Sequence, residues 1–193
     1  MALGIVAAVL GATVAQANPA VCAVDTAAML KLDPAQFDQD RTGGWRPLAD
    51  REGCEAAAAD LLATYREAHW GALSAHQLHI SYWHEGQLRA SAGQSGRAIP
   101  LLMSGVDADD QIGFYQYALG TIAFLQGDLA SLRAERDRLA AMPKPSWFAK
   151  AAAGAKAKSG SEPTWPLNLD VLDGLIACFG QPYKVAYGCR PKG

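Results

Sequence analysis

Along most of this chain apolar residues recur at helical spacing, and no stretch alternates strongly enough to read as a strand. Glu55 to His69 is the strongest segment. Four consecutive alanines precede Leu61, Leu62 and Tyr65, giving an apolar stripe on a helix-forming background. Ser74 is placed to cap a long helix to about Ala92. Gly93 turns the chain. A shorter helix is expected to follow through Leu102 or Met103, with Pro100 in its first turn, where a missing N–H costs least. The loop Gly105–Asp110 carries three aspartates, acids that suit the start of a helix. That helix is expected over about Gln111 to Gln126, followed by a turn at Gly127-Asp128 and a return helix from Leu129 to Met142. On the return helix, Arg133, Glu135, Arg136, Asp137 and Arg138 read as a solvated face laced with charge pairs.

The flanks are less regular. Residues 18–42 read as an arm, with a turn or two between Asp25 and Lys31 and another start at Asp33-Pro34. Gly43-Gly44 breaks it, and a short helix from Trp45 to Glu52 tolerates Pro47 in its first turn. Residues 143–167 read as a basic flexible connection with a helical turn around Ala149 to Ala155. It holds Lys144, Lys150, Lys156 and Lys158. Such a run is usually solvated, though it can also attract an acidic partner or an anionic surface. Asn168 is placed to cap a helix over Leu169–Phe179, and Pro182 to Tyr187 allows one more turn. The fold class predicted is all-α, organised as 18–142, the 143–167 connection, and a C-terminal helical segment, 168–193, of the same domain.

A longer period lies over this pattern. Gly86 and Gly120 are 34 residues apart, and so are Gly93 and Gly127. An aromatic, Trp83 or Tyr117, stands three residues before the first glycine of each pair. In a unit starting at Gly113, Leu119-Gly120 falls within the first helix, Gly127 on the turn and Leu139 at an apolar position of the second helix, and Pro143 lies next to the position of a closing proline. One period earlier, from His79, the corresponding positions are Tyr82, Gly86, Gly93, Ala98 and Leu102. This unit resembles the tetratricopeptide repeat over residues 79–143, and less closely over 45–69. Glu85 departs from it by replacing a leucine, and Arg136 and Gly105 stand where that family has an aromatic and an alanine.

The resemblance implies stacked antiparallel helical hairpins whose first helices line a concave face. Carried over position by position, that face holds Ile80, Trp83, Gln87 and Ser91 from the first unit. The second unit contributes Phe114, Tyr117, Thr121 and Phe124. Aromatics among small polar residues suit a protein- or peptide-binding surface, with Trp83 and Tyr117 as anchors and Gln87 and Thr121 as polar readers. An aromatic stripe at helical spacing is more often core, covered by flanking helices.

Composition and cysteines add a compartment. Residues 1–17 read as a signal peptide: Met1 to Ala12 has no charged side chain, and Ala15-Gln16-Ala17 supplies small residues before Asn18. The expected location is periplasmic or secreted. Val21 argues against lipidation of Cys22. No later run is apolar enough to cross a membrane. A formal charge of −2 argues against nucleic-acid binding. Four cysteines in an exported chain suggest disulfides, and they allow three pairings. The favoured one joins Cys22 to Cys54 and Cys178 to Cys189, with free thiols as the alternative. No Cys-x-x-Cys pair favours zinc.

Candidate catalytic chemistry is sparse. His76 and His79 share a helical face, while His69 and His84 point elsewhere; with no His-Glu-x-x-His, no metal or other cofactor is expected. Gly93-Gln94-Ser95-Gly96 lacks the spacing and the preceding strand of a nucleophile elbow. Glu67 and Glu85 are the only acids worth weighing as a hydrolytic pair. The expected function is therefore an exported, non-catalytic module that binds a protein or peptide in the cell envelope, including an inhibitor or immunity-type role. The rivals are a small cell-wall hydrolase using Glu85 or His84, and a structural subunit held by residues 144–158.

Overall fold

The structure, a computed structural model, describes residues 21–106, 110 and 112–190. The expected signal peptide lies outside them. The two glycines of each repeat pair do different work. Gly93 and Gly127 both have φ of +73°, a left-handed backbone that lets the chain reverse and that L side chains resist. Gly86 and Gly120 sit inside helices and permit close approach. A Cβ on Gly86 would lie 2.8 Å from the side chain of Leu102 and 3.0 Å from its backbone nitrogen. A Cβ on Gly120 would lie 2.8 Å from Leu172.

Every regular element among the described residues is helical. The chain runs through α1 (Thr26–Met29), a π-helical turn (Ala35–Gln39), α2 (Arg46–Ala49), α3 (Glu55–Ala68) and α4 (Ala75–Ser91). It continues through α5 (Ser95–Ser104), α6 (Phe114–Gln126), α7 (Leu129–Ala140), α8 (Phe148–Ser159), α9 (Leu169–Ala177) and α10 (Tyr183–Tyr187). Ser74 and Gln77 form a reciprocal capping box at the start of α4. Asp128 caps α7 by accepting from the Ser131 amide at 3.0 Å. Helices α3 to α7 pack successively, each on the next, as stacked antiparallel hairpins. Helix α9 then closes over α6 and α7, and α10 returns to α4.

Two apolar clusters follow from this path. The larger runs from Trp83 through α5, α6 and α7 to Leu172, Leu175, Tyr183 and Ala186. The smaller gathers the arm, α2 and α3 around Phe37, Trp45, Leu62 and Tyr65. Phe37 stacks on Tyr65 with ring centroids 3.7 Å apart. Each cluster is stapled by a disulfide, Cys22–Cys54 for the arm and Cys178–Cys189 for the C-terminal segment. This is the favoured pairing.

Three local details differ from the sequence reading. Pro100 lies in the interior of α5, because the helix begins at Ser95, five residues before it. Asn168 precedes α9 with φ of +62° and no side-chain cap bond, so it serves as a left-handed backbone position. The single turn expected around residues 149–155 is the twelve-residue α8. Its alanines favour helix, and burial of Phe148 and Ala152 holds it.

Gly86→Ala and Gly120→Ala should each lower unfolding free energy by about 1–3 kcal/mol through overpacking, read from urea melts. Gly154→Ala, in open space within α8, should instead raise it by about 0.4–1 kcal/mol.

Candidate functional site

Helices α4 and α6 are the first helices of their hairpins, and the face they form is where the expected binding residues fall. Helix α10 lies across it. Gln87 sits at the crossing and donates from Nε2 to the hydroxyls of Tyr117 and Tyr187, each at 3.4 Å. The face is therefore divided in two. On one side is a cavity of about 780 Å³ lined by Ile80, Trp83, Gln87, Phe114 and Tyr117, with Tyr187 closing it. On the other, Ser91 and Phe124 line a smaller cavity of about 260 Å³ with Phe179 and Tyr183.

The floor of the larger cavity is an aromatic cluster. The Trp83 ring lies 4.6 Å from Phe114 and 5.2 Å from Tyr117, both tilted or edge-on, geometry that aromatic quadrupoles favour. Trp83 and Tyr117 are 5% and 2% exposed, so they belong to the core and to the cavity wall at once. Burial pushes the Tyr117 phenol well above its ordinary value, which keeps it neutral. Thr121 does not read out a partner. It is fully buried, lines neither cavity, and donates its hydroxyl to the Tyr117 carbonyl at 2.9 Å. Phe124 is also core, packed on Phe179 and Tyr183 at 5.8 and 6.1 Å. For Phe124 it is the C-terminal segment that covers the side chain.

The mouth of the larger cavity is polar, with Gln39, Arg46, His76, His79, His84 and Asp110 around it. His84 Nδ1 meets Asp38 Oδ1 at 2.7 Å, and the Trp45 indole N–H donates to the same oxygen at 2.8 Å. The Arg46 guanidinium stands 4.2 Å over the Trp45 ring and donates to the Asp38 carbonyl. Burial works to raise the Asp38 carboxyl. The hydrogen bond and charge of His84, with the Trp45 N–H, outweigh it and hold the group below its ordinary range. An ionised carboxylate only accepts, so Nδ1 of His84 carries the proton toward Asp38.

Glu85 is not in this cavity. It is 3% exposed and lies between two arginines, with Arg66 Nη2 at 2.5 Å and Arg89 Nη2 at 3.2 Å. Arg66 also covers the Tyr82 ring at 4.0 Å, and Arg89 reaches Asp60 at 2.5 Å. This network joins α3 to α4 and explains why a carboxylate replaces the leucine of the repeat pattern. Glu67 is exposed, so the two acids do not flank a common cleft. Cys54 is spent in its disulfide. Among the described residues, no three histidines, cysteines or acids are placed together to hold a metal ion.

Comparison with protein-family models, curated proteins and solved structures finds no match. The site is thus read from its own geometry. Asp38, Arg46 and Tyr187 escaped the sequence reading. Asp38 and His84 are 46 positions apart, and Gln87 and Tyr187 are 100 apart, separations at which no local pattern signals contact.

Glu85→Ala leaves Arg66 and Arg89 buried without their shared carboxylate, and should cost about 3–5 kcal/mol of stability by chemical denaturation. Asp38 titrates lower folded than its ordinary 3.8. Its stabilisation is therefore complete above that pH and lost as pH falls through the depressed value. Melts across this acid range should show wild type losing stability more steeply than Asp38→Asn.

Proposed function

We propose that this chain is an exported, non-catalytic module that binds a protein or peptide segment in the cell envelope, through the cavity between α4, α6 and α10. The observation that carries this reading is that Ile80, Trp83, Gln87, Phe114 and Tyr117 line one cavity of about 780 Å³. Those positions follow from the tetratricopeptide-like register of the two hairpins. The cavity has an aromatic floor and a polar mouth, a division of labour common at recognition sites. A partner's bulky apolar side chain fits the floor, and the polar groups of its backbone meet Arg46, His76 and His79 at the mouth. Two disulfides, and the lack among the described residues of any helix long and apolar enough to cross a membrane, accord with an exported module. An inhibitor or immunity-type role is the sharper form of this proposal.

A second reading, a small cell-wall hydrolase, draws on His84, whose Asp38 partner orients it at the cavity wall as a general base would be oriented. Glu85, tied to Arg66 and Arg89, has no part in it.

Site-specific photo-crosslinking in the native envelope distinguishes these. A benzophenone side chain at His79, beside the cavity, should give a discrete protein adduct, and one at the exposed Arg133 of α7 should not. Ile80→Asp should abolish the adduct with the melting temperature little changed, and His84→Gln should preserve it. Equal adducts from both positions, or none from His79, would refute the binding module. Loss of cell-wall turnover in His84→Gln would favour the hydrolase.

A further inference from the structure

We propose that the outward face of α8 docks on an anionic lipid bilayer. This inference is independent of the cavity. The inner face of α8 is fixed: Phe148 and Ala152 are each 3% exposed, and the Phe148 ring packs edge-on against Trp165 at 5.1 Å. Trp165 is itself anchored by its indole N–H, which donates to the Met142 carbonyl at 3.0 Å. With about 100° of rotation per residue, Lys150, Gly154 and Ala157 lie opposite that inner face, with Trp147, Ala151 and Lys158 along one flank of it, and all six are exposed. Trp147, in helical conformation at the head of α8, is 50% exposed.

The charge on this face is one-sided. Residues 143–162 hold four lysines and one acid, Glu162, in a chain of formal charge −2. Glu162 is engaged by Lys156 at 2.9 Å. Among the described residues, Lys144, Lys150 and Lys158 form no ion pair within 4 Å; Lys144 approaches the Phe148 ring, at 5.4 Å, and its charge reaches Glu162.

A bilayer fits this arrangement better than an acidic protein does. Tryptophan prefers the level of lipid headgroups, where its ring is half apolar and half wet. Lysines held by no fixed hydrogen bonds act as point charges, which suits a fluid array of phosphates. Between Trp147 and Lys158 the face carries only alanine and glycine besides Lys150, so no bulky side chain holds the helix off a plane.

Co-sedimentation of the purified full chain tests this, using vesicles of phosphatidylcholine alone and of equal parts phosphatidylcholine and phosphatidylglycerol. The chain should pellet with the mixed vesicles only, and added salt should release it. Lys150→Glu/Lys158→Glu should cut partitioning about tenfold or more. Trp147→Ala should weaken it while preserving its salt dependence. Both variants alter exposed side chains and should keep the wild-type circular dichroism. Equal binding to the two vesicle types, no binding to either, or equal binding by wild type and the double variant would overturn the proposal. So would capture on immobilised polyglutamate with no vesicle binding, which would indicate an acidic protein instead.

Discussion

A leucine side chain occupies the space of a missing Cβ at Gly86, and another does so at Gly120. These two close approaches set the spacing of the stack. At Gly86 the neighbour is Leu102 of the same hairpin, so the contact draws α5 onto α4. At Gly120 the neighbour is Leu172 of α9, so the contact draws the C-terminal segment onto the second hairpin. Packed interiors tolerate neither gaps nor extra methyl groups, so a residue with no side chain determines where its partner helix can lie. Once α9 is seated on α6 and α7, the chain that follows has little choice but to cross toward α4.

That crossing shapes the candidate site. Repeated hairpins alone leave a continuous trough along their first helices. Here α10 closes part of it, with Tyr183 and Tyr187 reaching in and the Cys178–Cys189 bond tying the segment's ends. What remains open is a cavity with an aromatic floor. The same segment covers Phe124 with Phe179 and Tyr183. Lys184 at the edge of α10 pairs with Glu55 at the start of α3, so the segment spans from the last helices back to the first long one.

The polar interior follows a parallel logic. Glu85 and Arg89 face α3 from one side of α4, where a purely apolar seam is expected, and Arg66 and Asp60 answer them. Charges this buried are tolerable only in pairs. His84, one residue from Glu85, turns instead toward the arm and meets Asp38. Adjacent residues on one helix thus serve two neighbours, one holding α3 and the other holding the arm beside the cavity mouth.

The sequence by itself determined what depends on a few neighbouring residues. Helix propensity and apolar spacing mark α3 through α7, Ser74 marks a helix start, and Gly93 and Gly127 mark reversals that only a left-handed backbone makes. The 34-residue period placed Ile80, Trp83, Gln87, Phe114 and Tyr117 on one face, because each is fixed by its register within its own helix. Tertiary structure alone decided what covers that face. Whether Phe124 meets a partner or the core depends on Phe179 and Tyr183, more than fifty residues further along the chain. Nor does any local pattern reveal that His84 finds Asp38, or that Gln87 finds Tyr187. Periodicity reports which side of a helix is apolar, and packing chooses the element that buries it.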